Sequence, residues 1–105
     1  MKYFRLKKQA DFQKLFKTGK RAFSSSLTMI YRQADILTMG ISVGKRHGKS
    51  VKRNRIKRLI REAFRAENGS LKANYRIVFI PKVSENYSFQ NFRKDIRWMI
   101  QKEKL

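Results

Sequence analysis

One stretch of the chain decides the fold: residues 49–66, K-S-V-K-R-N-R-I-K-R-L-I-R-E-A-F-R-A. Its apolar residues recur three or four positions apart, which is the spacing of a single buried stripe on an amphipathic helix. We therefore predict a helix that rests one face on a hydrophobic core, and we expect Ser50 to be its N-cap because a serine hydroxyl can accept a hydrogen bond from the first turn. The residues of the apolar stripe are Ile56, Leu59, Ile60, Ala63 and Phe64.

The opposite side of the predicted helix is basic. Glu62 is the only acid in the stretch, whereas a side that is merely solvated normally carries both signs of charge. Lys52, Arg53 and Arg55 fall in the first turn, where each cation opposes the helix macrodipole by about 0.3–1 kcal/mol. Because free N–H groups at a helix N-terminus bind phosphate, this arrangement predicts a nucleic-acid backbone against the helix. The polar residues predicted on this side are Asn54, Arg55, Lys57, Arg58, Arg61 and Arg65.

The loop before the helix, G-K-R-H-G-K-S at residues 44–50, is at first sight similar to a phosphate-binding P-loop. That motif needs four residues between its glycines, and only Lys45, Arg46 and His47 lie there. We therefore expect a cationic lead-in to the helix, in which Lys45, Arg46 and Lys49 approach phosphate. His47 is expected to be a polar residue of this loop.

The composition indicates one small and strongly basic domain. The chain has 105 residues, with 27 Lys and Arg against 7 Asp and Glu, which gives a net charge of +20. A polyanion would relieve self-repulsion of that size. The chain has no cysteine, which excludes a disulfide framework, and no apolar run approaches the ~20 residues of a membrane span. In the absence of a signal-peptide pattern, we expect a cytoplasmic protein with no membrane partner.

The rest of the chain predicts two more helices and three strands. Ser88 is expected to cap the last helix, and the strands before and after the basic helix should be parallel. The helices are predicted at residues 8–17 and 88–104, and the strands at residues 27–32, 36–43 and 75–80.

Two basic segments are expected to lie outside these elements. Residues 1–8 are predicted to form an arm, and residues 20–26 a polar connection.

Within the strand predicted at residues 36–43, Thr38, Gly40 and Ser42 keep one side small and polar, which suits the floor of a groove.

The sequence contains no constellation of catalytic residues. It has no cysteine, a single histidine, and seven carboxylates scattered without the spacing of metal ligands. We therefore predict neither catalytic nor metal-binding residues. Trp98 falls just off the apolar stripe of the last helix, so we expect it to be partly packed rather than a platform for a stacked base. From its residues alone, the chain is predicted to be an RNA- or DNA-binding α+β domain.

Three segments together resemble the protein subunit of bacterial ribonuclease P. They are K-K-Q-A-D-F-Q-K-L-F-K-T-G at 7–19, G-I-S-V-G-K-R at 40–46 and V-K-R-N-R-I-K-R-L-I-R-E-A-F-R at 51–65. The resemblance implies an α/β sandwich, a single RNA-binding domain over residues 1–105 in which a small mixed sheet packs with three helices. The implied order is α-β-β-β-α-β-α, allowing one short strand, with a left-handed βαβ crossover around the basic helix.

The resemblance also implies a function. In that family the RNA subunit performs catalysis with Mg²⁺ at its own active site, while the protein binds this RNA and the 5′ leader of precursor tRNA, with no protein partner required. The predicted leader-binding cleft contains Phe12, Phe16 and either Ile30 or Tyr31, because the alignment can shift by one residue there. The predicted RNA contacts are Lys45, Arg46, Lys49, Lys52, Arg53, Asn54, Arg55, Lys57, Arg58, Arg61 and Arg65.

A small basic ribosomal protein, or another structural RNA-binding protein, is the alternative interpretation, and a DNA-binding module is a weaker one. A ribosomal protein more often carries its basic residues in tails, whereas here they concentrate on a predicted helix. The alternative predicts RNA binding with no link to RNA cleavage.

Overall fold

A five-stranded sheet and three helices make up the computed structural model, which describes residues 2–105. This architecture confirms the predicted α+β class and element order, and it adds one short strand at the start. Two short 3₁₀ turns, Lys45–His47 and Asn68–Ser70, flank the longest helix. The elements are β1 (Phe4–Arg5), α1 (Gln9–Thr18), β2 (Lys20–Phe23), β3 (Leu27–Gln33), β4 (Thr38–Ile41), α2 (Ser50–Glu67), β5 (Tyr75–Pro81) and α3 (Phe89–Lys102).

Strand β5 lies at the centre of the sheet, whose order is β1-β4-β5-β3-β2. It pairs parallel with β4 and antiparallel with β3, while β1 pairs parallel with β4 and β2 antiparallel with β3. A strand with a neighbour on each side is enclosed by protein, which explains why β5 is almost continuously apolar. The parallel β4–α2–β5 unit confirms the predicted pairing, and it places the N-terminus of α2 beyond the end of β4.

The two faces of the sheet carry separate cores. Successive residues of a strand point to opposite faces, so Ile77 and Phe79 pack with α2 and α3 while Val78 packs with α1. Strands β3 and β5, the first helix and Leu6 share the smaller core, which includes Leu15 and Ile30. A helix about 10 Å wide cannot cover five strands spaced about 4.8 Å apart. The face under α1 is therefore only partly covered, and depressions remain beside the helix.

The N-terminal segment is not the free basic arm that the sequence predicted. The N–H groups of Phe4 and Leu6 donate to the carbonyl groups of Leu37 and Met39, each at 3.0 Å. The Tyr3 ring also packs edge-on against Phe64 of α2, with 5.1 Å between ring centroids. Pairing and packing together fix the basic residues of this segment beside α2.

The predicted connection at residues 20–26 is also wrong in its first half. Lys20–Phe23 forms β2, which pairs with β3 at the edge of the sheet. Because a basic edge strand such as β2 has no apolar alternation, its sequence gives little indication of pairing.

The strand predicted at residues 36–43 is longer than the one observed, because β4 spans only Thr38–Ile41.

Helix α3 begins where the sequence predicted. The Ser88 hydroxyl accepts a hydrogen bond from the N–H of Asn91 at 3.1 Å, which confirms it as the N-cap. Phe92, Ile96 and Met99 are fully buried along its inner face. This apolar face packs α3 beside α2 on the same side of the sheet.

Glu67 joins the end of α2 to α3 through two arginines. Its buried carboxylate accepts hydrogen bonds from Arg93 Nε at 2.6 Å and from Arg97 Nε and Nη2 at 2.9 and 3.0 Å. The hydrogen bonds from Arg97 and then Arg93 lower the pKa of Glu67, although burial acts in the opposite direction. The lowered pKa means that the folded protein stabilises the ionised carboxylate.

We expect Glu67→Gln to lower the free energy of unfolding near neutral pH by about 1–3 kcal/mol, because charge-assisted hydrogen bonds are lost. Folding lowers the pKa of this carboxyl from 4.5, so the stabilisation is fully present above pH 4.5 and is lost as the pH falls through the folded value. Urea unfolding across acidic and neutral pH should show the variant and the parent converging in acid. Glu62→Gln is the matched control, and a pH-independent gap for Glu67→Gln would contradict the assigned role of the charge.

Candidate nucleic-acid interface

Helix α2 presents one face to the core and the other to solvent. Ile56, Ile60 and Phe64 are fully buried against the sheet, which confirms the amphipathic pattern. The helix begins at Ser50, with Lys49 in the N-cap position and no side chain accepting a capping hydrogen bond. Ser50 is therefore not the N-cap that was predicted, and the first-turn N–H groups receive no side-chain cap.

The outer side of α2 is a continuous basic surface. Arg55, Arg58 and Arg65 are exposed together with Asn54, whereas Lys57 and Arg61 are half-buried. Across residues 2–105, none of the basic side chains of α2 forms a salt bridge with an acid. The positive charge of this side is therefore not neutralised by the fold, and it remains available to an anionic partner.

The turn before α2 adds three exposed cations, Lys45, Arg46 and Lys49, as predicted. Gly48 ends this turn with a φ of +113°, in the region that favours glycine. A Cβ at this position would also lie 2.8 Å from Lys52 Cδ. Glycine thus allows the sharp change of direction that brings the basic turn up to the helix N-terminus.

His47 is a polar residue of this turn, as predicted, but its side chain is buried and only 2% exposed. Its Nδ1 accepts a hydrogen bond from the N–H of Gly44 at 3.0 Å, and its Nε2 lies 2.7 Å from the carbonyl oxygen of Pro81. The two partners fix the ring with its proton on Nε2, where it donates to Pro81. The ring thereby fastens the basic turn to the end of β5.

The first turn of α2 holds two of its predicted RNA contacts against the protein. Lys52 Nζ donates to the carbonyl oxygen of Ser84 at 3.3 Å and lies 5.6 Å from the centroid of the Tyr87 ring. Arg53 Nη2 donates to Ser50 Oγ at 3.2 Å. These two cations therefore make contacts within the protein, whereas Arg58 is exposed and makes none of these contacts.

A depression that we call the basic groove lies between β1, α1, β4 and α2. It has a volume of about 280 Å³. Five uncharged residues and four cations line it. The groove is lined by Leu6, Phe12, Met39, Gly40 and Ile41 together with Arg5, Lys7, Lys57 and Arg61.

Gly40 makes room for the aromatic wall of the basic groove. A Cβ on Gly40 would lie 2.6 Å from Phe12 Cζ and 3.0 Å from Leu6 Cβ. The Phe12 ring thus packs on a strand position that only a missing side chain leaves open. Of the three residues predicted to form a groove floor, Gly40 lines the basic groove, whereas Thr38 and Ser42 do not.

The positive charge of Arg61 lies in an unfavourable environment at the edge of the basic groove. Burial lowers its pKa, the neighbouring Arg5 lowers it further, and Tyr3 acts in the opposite direction. Like charges held together in this way favour an anionic group between them. Arg5 and Lys7 were missed by sequence reasoning, because their role depends on the pairing of β1 with β4.

The predicted cleft residues divide between the two faces of the sheet. Phe12 and Phe16 are half-buried on the α1 face, with 6.4 Å between ring centroids. Ile30 lies on that face but is fully buried beneath α1. Tyr31 points to the other face, where burial and a 2.5 Å hydrogen bond to Glu103 raise its pKa to about 12. Tyr31 therefore lies on the face opposite Phe12 and Phe16, since consecutive strand residues point to opposite faces.

Two further features bear on possible chemistry. The structure, over residues 2–105, brings together no group of three or more His, Cys, Asp or Glu side chains that could hold a metal ion. In the same part of the chain, no helix is both long and apolar enough to span a bilayer.

Sequence comparisons identify close relatives over nearly the whole chain. A family model described as Ribonuclease P matches residues 1–104. The ribonuclease P protein component of Clostridium kluyveri is 39% identical over an alignment of 108 positions, covering 97% of this chain and 96% of that protein. The ribonuclease P protein component of Dictyoglomus turgidum is 41% identical over 92 positions, covering 86% of this chain and 77% of that protein.

Solved structures show the same likeness in the fold. The Staphylococcus aureus RNase P protein has a TM-score of 0.82 at 29% identity, covering 98% of this chain and 97% of that one. The Thermotoga maritima RNase P protein has a TM-score of 0.82 at 30% identity, covering 93% and 96%. The similarity therefore extends over the sheet and all three helices rather than over one motif.

Proposed function

This chain belongs to the ribonuclease P protein family, and on that premise we propose that it binds the catalytic RNA subunit of ribonuclease P and the 5′ leader of precursor tRNA. In this role it is a subunit of the endoribonuclease that matures the 5′ end of tRNA. The observation that carries the proposal is the unneutralised basic side of α2, which adjoins a basic groove with an aromatic wall.

The outer side of α2 is proposed to bind the RNA subunit. Asn54 and Arg58 project from successive turns, and Arg65 lies two turns further on. Four helical residues rise about 6 Å, which is near the distance between neighbouring phosphates on one strand. Guanidinium groups suit this task because each presents a planar set of donors to a phosphate. The exposed cations of the preceding turn, Lys45, Arg46 and Lys49, extend the same surface.

The basic groove is proposed to hold the single-stranded leader. Proteins that bind single strands combine cations that follow the backbone with aromatic rings on which bases stack. Phe12 supplies the ring, and Arg5 and Arg61 supply charge at the rim. The groove shares Lys57 and Arg61 with α2, so both RNAs would lie side by side on one protein surface.

Catalysis is proposed to belong to the RNA, with Mg²⁺ ions at the RNA active site. The protein would contribute by binding and orienting the two RNAs, and by bringing positive charge to a region crowded with phosphates. The cations around the basic groove support this contribution, because they reduce the repulsion that the leader and the RNA subunit would otherwise exert on each other.

We expect the double variant Arg55→Ala/Arg58→Ala to bind the RNA subunit more weakly and with a smaller dependence on salt. The logarithm of the association constant falls linearly with the logarithm of the salt concentration, and each lost phosphate contact should make this slope less steep by about 0.7–0.9. Folding should be unaffected within about 0.5 kcal/mol, since both side chains are exposed and unpaired. Filter binding at several salt concentrations measures this slope.

Lys72→Ala is the matched control, because it removes an exposed cation outside α2. It should leave the salt slope close to that of the parent protein. If the double variant kept the affinity and slope of Lys72→Ala, α2 would not be the RNA-binding surface.

A further inference from the structure

A second aromatic surface lies away from the outer side of α2 and from the basic groove. It is a depression of about 590 Å³ between the β2–β3 turn and the outer side of α3. Phe23 and Trp98 line it and are 56% and 47% exposed. Trp98 was expected to be partly packed, and the structure leaves half of it open to solvent. Large rings exposed next to each other indicate an interaction site more readily than an isolated exposed residue does.

Two unpaired cations flank this depression. Lys94 lines it with the two rings, and Lys102 Nζ lies 4.7 Å from the centroid of the Trp98 ring. Arg97 also lines it, but its guanidinium is paired with Glu67. Both Lys94 and Lys102 are exposed. The combination of open aromatic rings with flanking cations is the one that single-stranded nucleic acid requires.

The one acid in the lining, Asp95, is occupied by the protein itself. Its Oδ2 accepts hydrogen bonds from Ser25 Oγ at 3.1 Å, from the N–H of Ser26 at 3.0 Å and from Ser26 Oγ. The carboxylate is buried, so its charge is directed to the turn rather than to the surface. These bonds also fasten the β2–β3 turn to α3, which holds Phe23 and Trp98 at the same depression.

We propose that this surface, which we call the α3 aromatic site, stacks an unpaired base of the RNA subunit. The proposal rests on the proposed function, because it takes that RNA to be the partner, but it assigns the RNA a second contact that shares no residue with α2 or the basic groove. Lys94 and Lys102 would bind the phosphates on either side of the stacked base. The net charge of +20 opposes a second copy of this chain as the occupant and favours a polyanion.

Trp98 is the only tryptophan of the chain, so its fluorescence reports on the α3 aromatic site alone. The test titrates the protein with the transcribed RNA subunit and, separately, with inorganic polyphosphate. Stacking predicts quenching by the RNA but not by polyphosphate, which carries the charge without the bases. Trp98→Ala should weaken binding of the RNA subunit about 5- to 150-fold, the range expected for loss of one stacked base, and Trp98→Phe should restore most of the affinity.

Phe23→Ala keeps the tryptophan and should reduce both quenching and affinity. Val83→Ala, which truncates an apolar side chain of similar exposure elsewhere, should change neither. Binding of the RNA subunit with unchanged Trp98 fluorescence and unchanged affinity of Trp98→Ala would overturn the α3 aromatic site while leaving the proposed function intact. If Trp98 fluorescence changed with protein concentration in the absence of RNA, the surface would be a self-association site, and the proposed stacking of an RNA base would be overturned. Failure of the parent protein to bind the RNA subunit at all would overturn the proposed function itself.

Discussion

His47→Ala is expected to lower the free energy of unfolding by about 2–4 kcal/mol, because it leaves two backbone groups without the partner that the ring supplies. The N–H of Gly44 loses its acceptor, and the carbonyl oxygen of Pro81 loses its donor. The first bond fixes the start of the basic turn, and the second ties that turn to β5. Thermal or urea unfolding of the variant measures the loss.

The same substitution should weaken binding of the RNA subunit even where the variant remains folded. Lys45 and Arg46 precede the ring directly, so their positions depend on its attachment to Pro81. Lys45→Ala provides the comparison, since it removes an exposed cation of the turn and should change stability by no more than about 0.5 kcal/mol. If His47→Ala and Lys45→Ala had equal stability, the histidine would not be the attachment that the geometry indicates.

Phe12→Leu is expected to reduce discrimination between precursor and mature tRNA by about 1–3 kcal/mol, because leucine cannot stack on a leader base. Its side chain still covers Gly40 and Leu6, so the free energy of unfolding should change by less than about 1.5 kcal/mol. The measurement compares the affinities of both tRNAs for the complex of protein and RNA subunit. The variant thus separates stacking from packing, which an alanine substitution would remove together.

Phe16→Leu is the companion variant, since the two rings lie on the same side of α1. Phe16 is packed at the edge of the smaller core but is not among the residues that line the basic groove. We expect the larger loss of discrimination from Phe12→Leu. Unchanged preference for precursor tRNA in a folded Phe12→Leu protein would remove its ring from the leader site.

The parts of the fold that the sequence predicted are those with strong periodicity. The buried stripe of α2, the apolar run of β5 and the Ser88-capped α3 each carry a local signal that packing reinforces. The same applies to the exposed cations of α2, because the helical repeat that buries Ile60 also places Arg58 on the outside. The basic surface could therefore be predicted without coordinates.

The remaining features depend on contacts between distant segments. Strand β1 is only two residues long, and its pairing with β4 cannot be derived from its own pattern. The burial of His47 depends on Pro81, which lies 34 residues further along the chain. The face to which Tyr31 points depends on strand register, which a shift of one residue reverses. In each case the deciding partner is remote in sequence, so local reasoning could not supply it.

Cleavage of precursor tRNA by the RNA subunit at low Mg²⁺ concentration, with and without this protein, tests the account most directly. We predict that the protein restores cleavage at the 5′ end under conditions in which the RNA alone is inactive, and that rigorously RNA-free protein cleaves nothing. Cleavage by the protein alone, or an RNA subunit whose activity the protein does not raise, would contradict the proposed function.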